Sequence, residues 1–122
     1  MITKNKLKLD AYMELTKKWA PFLLKDIFMG AKNFKDFLQR NEGLSNRVLS
    51  DQLKGLEKHG YIKKEIISIT PIKIEYSLTE LGRSLNKVLY EQCIFAINVG
   101  FVKREDSCFK DIDLKEVFGI IK

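Results

Sequence analysis

One stretch of the sequence constrains the fold more than any other, the segment GLSNRVLSDQLKGLEKHGY at residues 43–61. Ser45 is a favourable helix N-cap, and Gly60 is suited to the left-handed residue that ends a helix. Between these ends, apolar side chains recur at helical spacing and form one narrow stripe, which consists of Leu49, Leu53 and Leu56. This pattern predicts an amphipathic helix over about residues 45–59, with one side packed against a core.

Immediately after this helix, the period of the apolar residues changes from 3.6 to 2, which is typical of strands. Residues 62–67 (IKKEII) and 72–78 (IKIEYSL) are rich in β-branched and aromatic side chains. Residues 68–71 provide a turn between them. The two segments are therefore predicted to pair as a β-hairpin.

Three helices are predicted ahead of the opening segment. Apolar residues at spacings of three and four predict helices over residues 7–17 and 18–29. A shorter helix is predicted over residues 34–40, because Asn33 is a suitable N-cap and Asp36, three residues later, forms a weak capping box with it. This third helix and the amphipathic one form a consecutive pair, separated by a short turn that contains glycine.

Behind the hairpin, Thr79 is a suitable N-cap for a long helix over residues 80–99, in which Cys93 is expected to be a buried, inert thiol. A polar break follows at residues 103–113, and a short helix is predicted at residues 114–121. The order of elements predicts a mostly α-helical α+β fold with one small β-hairpin, namely a winged helix-turn-helix.

The positive charge of the chain lies in its first half. The formal net charge is +6; residues 1–64 hold 14 Lys and Arg against 7 Asp and Glu, whereas residues 65–122 hold 8 against 9. Such an asymmetry indicates a polyanion as partner. On charge alone, the alternative of a lysine-rich surface that is merely solvated stays open.

Composition restricts the class of protein. With 122 residues, 45% of them hydrophobic and 31% charged, the chain is expected to form one folded domain. No apolar run approaches the roughly 18 residues of a membrane span, and no signal-like segment follows the N-terminus. We therefore expect a cytoplasmic protein that does not enter a membrane.

Residues for enzyme chemistry are scarce. His59 is the only histidine, and the two cysteines, Cys93 and Cys108, are widely spaced, so no zinc-site spacing arises. The seven glycines occur singly, and no phosphate-binding loop is formed by them. The sequence predicts neither an enzyme nor a bound cofactor or metal, and it leaves a redox role of either cysteine open.

Three segments carry a resemblance to a known family: the Lys18-Trp19 pair, FKDFLQRNEGLSNRVLSDQLKGLEKHGYIKKE and TPIKIEYSLTELGRSL. Over roughly residues 14–92 the chain resembles the HxlR family of bacterial and archaeal transcription regulators, which are relatives of the MarR group. The resemblance implies a homodimeric DNA-binding regulator. Two features depart from the family pattern: no cysteine precedes Lys18, where many members carry a reactive one, and the tail after about residue 98 is unmatched.

In a helix-turn-helix the second helix enters the major groove, so the polar side of the 45–59 helix is the candidate reading surface. Arg47 is suited to bidentate binding of guanine, Asn46 to adenine or phosphate, and Asp51 to the amino group of cytosine. The predicted contacts on this helix are Ser45, Asn46, Arg47, Ser50, Asp51, Lys54 and Lys58. The two lysines are expected on phosphates. The alternative is a solvated face on which Asp51 pairs locally with Arg47 or Lys54.

Three further lysines are predicted at the DNA. Lys73, on the second strand, matches the basic wing residue of the family and is expected in a minor groove or on a phosphate. Lys64 borders the same path on the first strand. Lys35 lies at the start of the third helix, where a helix N-terminus favours a phosphate. For Lys35 and Lys64, a purely solvated lysine stays open as the alternative.

The terminal regions are predicted to form a homodimer. Residues 88–121 and the first helix carry more apolar side chains than one small domain buries, and such an excess marks an interface. The single domain, 1–122, then consists of a dimerisation helix (7–17), the helix-turn-helix and wing (18–78) and a long helix with a dimerisation tail (79–122).

The predicted partners are double-stranded DNA with a palindromic operator and a second copy of the chain. The alternative function is a winged-helix module for protein contacts or for nonspecific DNA binding, which would not need a reading surface. The sequence does not identify an effector, the operator or the regulated genes.

Overall fold

The computed structural model describes residues 9–107 and 109–120, and its elements follow the order of a winged helix-turn-helix. The elements are α1 (residues 9–14), α2 (Ala20–Phe28), α3 (Phe34–Arg40), α4 (Asn46–Lys58), β1 (Ile62–Ile69), β2 (Ile72–Leu78), α5 (Glu80–Arg83), α6 (Asn86–Asn98) and α7 (Leu114–Val117). The predicted fold class, mostly helical with one small hairpin, is confirmed. The chain divides between Arg83 and Ser84 into two compact units.

The first two helices are shorter than the sequence predicts. Beyond residue 14, the N–H groups of Leu15 and Thr16 each bond to a carbonyl three residues back at 3.0 Å, so the α-helix gives way to a tight turn. The predicted start at residue 7 lies outside the described residues. α2 begins with Pro21 in its first turn, and Gly30 follows its end with a φ of +103°.

The bounds of α3 and α4 agree with the prediction because their end signals are local. The Asn33 side chain accepts the Asp36 N–H at 3.0 Å, and the Asp36 carboxylate accepts the Asn33 N–H at 3.4 Å, which completes the capping box. Ser45 Oγ accepts the Val48 N–H at 3.2 Å, and Gly60 follows α4 with a φ of +82°. Exposure is 1% or less along the predicted stripe of Leu49, Leu53 and Leu56.

β1 and β2 form an antiparallel hairpin, the wing, whose root is held by the core. Ile62 pairs with Leu78 at the root, and both side chains are buried. The N–H and the hydroxyl of Thr79 each donate to the Tyr61 carbonyl at 3.1 Å, which joins the end of the wing to its start. β1 continues past an irregularity of its register to Ile69, further than the sequence predicts.

The predicted single helix over residues 80–99 is wrong, because a turn separates α5 from α6 there. Gly82 and Ser84 are weak helix formers that fall at this point. Gly82 also packs so closely on the wing root that a Cβ would lie 2.1 Å from the Tyr61 carbonyl oxygen. α5 therefore serves the packing of the first unit.

In the second unit, Cys93 is 6% exposed, in agreement with the predicted buried thiol. Phe118 is 1% exposed, and its carbonyl accepts a hydrogen bond of 2.8 Å from the Asn86 side chain. α7 ends at Val117, short of the predicted end at residue 121, which lies outside the described residues, as does Cys108. No helix in the described part of the chain is long and apolar enough to cross a membrane.

Candidate nucleic-acid interface

The outer side of α4 presents the polar residues that the sequence predicts as contacts. Because helix side chains repeat every 3.6 residues, Arg47, Asp51, Lys54 and Lys58 share the face opposite the buried leucines. Ser50 is half-buried at the edge of this face. The other predicted contacts on the helix are exposed, namely Ser45, Asn46, Arg47, Asp51, Lys54 and Lys58. These six residues are therefore accessible, but only Arg47, Asp51, Lys54 and Lys58 share the face opposite the leucines.

Among the described residues, Asp51 forms no ion pair with its basic neighbours. Between described residues, ion pairs join Lys17 to Glu14 and Lys25 to Asp26, and His59 Nε2 lies 3.7 Å from Glu14 Oε1. None of these pairs includes a predicted contact residue of α4. The local pairing of Asp51 with Arg47 or Lys54 is thus not formed between described residues, and all three side chains are exposed to solvent.

A groove beside the start of α3 is lined by both Lys35 and Lys73. Its volume is about 410 Å³, and both lysines line it together with Phe34 and Tyr76. The Tyr76 N–H donates to the Lys32 carbonyl at 2.7 Å, which ties β2 to the segment ahead of α3. Both lysines are exposed, and lysines that line one groove are suited to contact a phosphate of a nucleic-acid backbone.

The Tyr76 side chain belongs to the packing of the wing. Its ring meets the Phe37 ring edge-on at a centroid distance of 6.3 Å. Burial raises the pKa of Tyr76 above its ordinary value, and the Glu57 carboxylate raises it further, so the phenol is neutral. Lys64 pairs with Tyr76 in the strand register and is exposed, but it does not line the groove.

The turn of the helix-turn-helix is fixed by a buried polar pair that sequence reasoning missed. Asp26 in α2 is 1% exposed, and Asn41, which follows α3, is 6% exposed. The Asn41 side-chain amide donates to Asp26 Oδ2 at 2.7 Å and to the Phe37 carbonyl at 2.8 Å. Lys25 Nζ lies 3.2 Å from Asp26 Oδ1. This pair holds the end of α3, and with it the turn that leads into α4.

A second buried carboxylate was also missed. Glu14, in α1, is 3% exposed, and its Oε1 lies 3.2 Å from Lys17 Nζ and 3.7 Å from His59 Nε2. His59 is the C-cap residue of α4, so this contact joins α1 to the end of that helix. The only sequence signal was an acidic residue between apolar ones, which on its own is typical of many exposed positions.

Comparison with known proteins agrees with this arrangement. The model of the HxlR-like helix-turn-helix family matches residues 14–101. The uncharacterized HTH-type transcriptional regulator YvaP of Bacillus subtilis (strain 168) is 39% identical over 77 residues, which are 63% of this chain and 71% of that protein. This relative and the family are transcriptional regulators, not enzymes.

Two solved structures are similar in fold. One is a transcriptional regulator of the MarR family from Enterococcus faecalis V583, with a TM-score of 0.64 and 28% identity, over 80% of this chain and 88% of that chain. The other is the redox regulator HypR in its reduced form, with a TM-score of 0.66 and 28% identity, over 84% and 94%. The similarity therefore includes most of the described fold.

Proposed function

The chain belongs to the HxlR-like helix-turn-helix family of transcriptional regulators, and on this premise we propose that it is a homodimer that binds a palindromic operator in double-stranded DNA. α4 enters the major groove, and the wing lies on the flanking backbone or in the minor groove. DNA binding of this kind takes place in the cytoplasm and needs no cofactor.

The observation that carries the proposal is the exposed polar face of α4. Arg47 lies in the first turn, where a recognition helix contacts base edges, and its guanidinium suits the two acceptors of guanine. Asn46 and Asp51 provide an amide for adenine and an acceptor for cytosine. Lys54 and Lys58 follow toward the C-terminus and contact phosphates. Ser45 at the N-cap and Ser50 at the edge of this face supply hydroxyl groups.

The lysines outside α4 extend the contact to the backbone. Lys35 and Lys73 hold a phosphate at their common groove, and Lys64 contacts the backbone from the other strand of the wing. Such contacts fix the register of the protein on the duplex without selecting its bases. The predicted residues thus divide into the residues of α4 that read bases and the lysines, on α4 and around it, that position the protein on the backbone.

Exposed apolar side chains at both ends of the chain support the homodimer. In α1, Leu9, Tyr12 and Met13 are 58%, 61% and 51% exposed. In the second unit, Phe95 and Phe101 are 58% and 76% exposed, and their rings meet edge-on at a centroid distance of 5.9 Å. Large apolar side chains at this exposure favour burial against a second copy of the chain.

Selection of bound duplexes from a random pool tests the proposal most broadly. The expected product is an enriched palindrome whose half-sites lie about one helical turn apart, ~34 Å. Light scattering at micromolar concentration should give about twice the chain mass of 14.2 kDa. A pool that stays random would instead support nonspecific DNA binding or a protein-contact module, and a monomer mass would contradict the homodimer.

A further inference from the structure

The buried carboxylate of Glu14 lies where α1 meets the second half of α4. Its Oε1 faces Lys17 and His59, whereas Oε2 is buried and accepts no hydrogen bond from any described residue. Burying a carboxylate is costly unless cations and hydrogen-bond donors compensate fully. Compensation here is partial, so stability alone does not account for this residue.

Glu14 reaches its position only because Gly55 has no side chain. A Cβ on Gly55 would lie 2.1 Å from Oε2 and 2.7 Å from Cδ of Glu14, far inside van der Waals contact. Gly55 stands in the interior of α4, where glycine costs about 1 kcal/mol relative to alanine. Its φ is not in the left-handed region, so the backbone does not require glycine. The space that it opens for Glu14 explains its presence.

A hydrogen bond holds the same junction at a second point. The Tyr61 hydroxyl donates to the Ala11 carbonyl of α1 at 2.7 Å. Burial raises the pKa of Tyr61, and the Glu14 carboxylate raises it further, so the hydroxyl keeps the proton that it donates. Two contacts from one turn of α1 therefore fix its direction relative to α4.

The outer face of α1 points away from this junction. Leu9 and Tyr12 are 58% and 61% exposed there, whereas Glu14 is 3% exposed on the inner face. In the proposed homodimer the outer face contacts the partner copy. α1 is then the connection between the partner copy and the recognition helix.

We propose that Glu14 and Gly55 form a seat that fixes the angle between α1 and α4, and thereby selects the separation of the two half-sites. This inference rests on the proposed function, because only a DNA-bound dimer has two half-sites. Asn46 is nine residues from Gly55, about 13 Å along the helix at ~1.5 Å per residue. A rotation of about 15° at the seat therefore moves the reading end by about 3.5 Å, the rise of one base pair.

The measured quantity is spacing selectivity, which is the preference for one separation of the two half-sites. A residue that only stabilises the fold would not change this preference. The probes are duplexes with two inverted copies of the half-site enriched by the wild-type protein, separated by lengths that differ in single base pairs. The affinity of the wild type for the duplex with the preferred separation should be about tenfold higher than for duplexes whose separation differs by two base pairs. Gly55→Ala should reduce that preference below about threefold, while the affinity for a single half-site changes less than about twofold.

Three variants complete the set. Glu14→Ala should reduce the preference to the same extent, and Gly55→Ala in the Glu14→Ala background should cause no further change, because the displaced carboxylate is already absent. Glu57→Ala, which alters α4 without touching Glu14, is the control and should keep the wild-type spacing profile. Unchanged spacing profiles in Gly55→Ala and Glu14→Ala would overturn the proposal.

Hydrogen exchange of the DNA-free protein distinguishes failure of the seat from failure of the proposed function. Gly55→Ala should lower the protection of amides in α1 by about tenfold, even though alanine favours the helix that carries it. Unchanged protection would overturn the seat whether or not DNA is bound. If Gly55→Ala reduces this protection but the wild-type protein enriches no duplex, the junction has no half-sites whose separation it could select. That result would overturn both its role in spacing and the proposed function.

Discussion

At the scale of single residues, the two residues that fix the turn between α3 and α4 carry no recognisable signal in the sequence. From the sequence, Asp26 resembles an ordinary exposed acidic residue in a helix with apolar neighbours. In the structure it is only 1% exposed. Its hydrogen-bond partner, Asn41, is fifteen positions away and follows another helix. A pairing of this kind depends on how α2 and α3 pack, so no local pattern predicts it.

Replacement of Asn41 by alanine tests this pair. Asn41→Ala removes a hydrogen bond to a buried carboxylate, so the free energy of unfolding should fall by about 2 kcal/mol. Gln39→Ala, at an exposed position of the neighbouring helix, should change it by less than about 0.5 kcal/mol. Urea denaturation measures both values. Equal losses in the two variants would mean that the buried pair does not stabilise the turn.

At the scale of elements, prediction succeeded where the determining signals are local. Asn33 with Asp36 and Ser45 with Gly60 define α3 and α4, and each of these residues acts on a backbone within one helical turn. The break between α5 and α6 was missed because apolar spacing continues through it. The position of the break is set by the close packing of Gly82 on the Tyr61 carbonyl, which is a tertiary contact and not a local one.

The same distinction applies to the candidate interface. The outer face of α4 was predictable, because the leucine stripe fixes which side is buried and the opposite side follows from helix geometry. The common groove of Lys35 and Lys73 was not predictable, because the two residues are far apart in the chain. The seat of Glu14 on Gly55 was missed for the same reason.

Leu53→Ala separates the packing of α4 from its reading surface. Leu53 is 1% exposed, so truncation leaves a cavity and should lower the free energy of unfolding by about 2–5 kcal/mol. The base preference of the folded fraction should stay that of the wild type. Ile69→Ala, at a position that is 79% exposed, is the matched control and should cost less than about 0.5 kcal/mol. A changed base preference in Leu53→Ala would contradict the assignment of the two sides.

At the scale of the whole molecule, two effects attract DNA and have to be separated. The net charge of +6, concentrated in the first half of the chain, draws any duplex to the protein irrespective of its sequence. Base contacts from the exposed face of α4 add a preference for one sequence. Salt weakens the first effect strongly, since each phosphate that the protein neutralises adds about 0.9 to the slope of log K against log salt.

The central claim is that α4 reads bases, and the direct test compares Arg47→Ala with Lys54→Ala on the selected duplex and on a scrambled one, at two salt concentrations. Arg47→Ala should cost about 1–3 kcal/mol per half-site on the selected duplex and little on the scrambled one. Lys54→Ala should weaken both duplexes alike and lower the salt slope by about 0.9 for each phosphate that is no longer neutralised, doubled in a dimer. Equal losses on both duplexes for both variants would contradict the claim and leave α4 as a source of charge that reads no sequence.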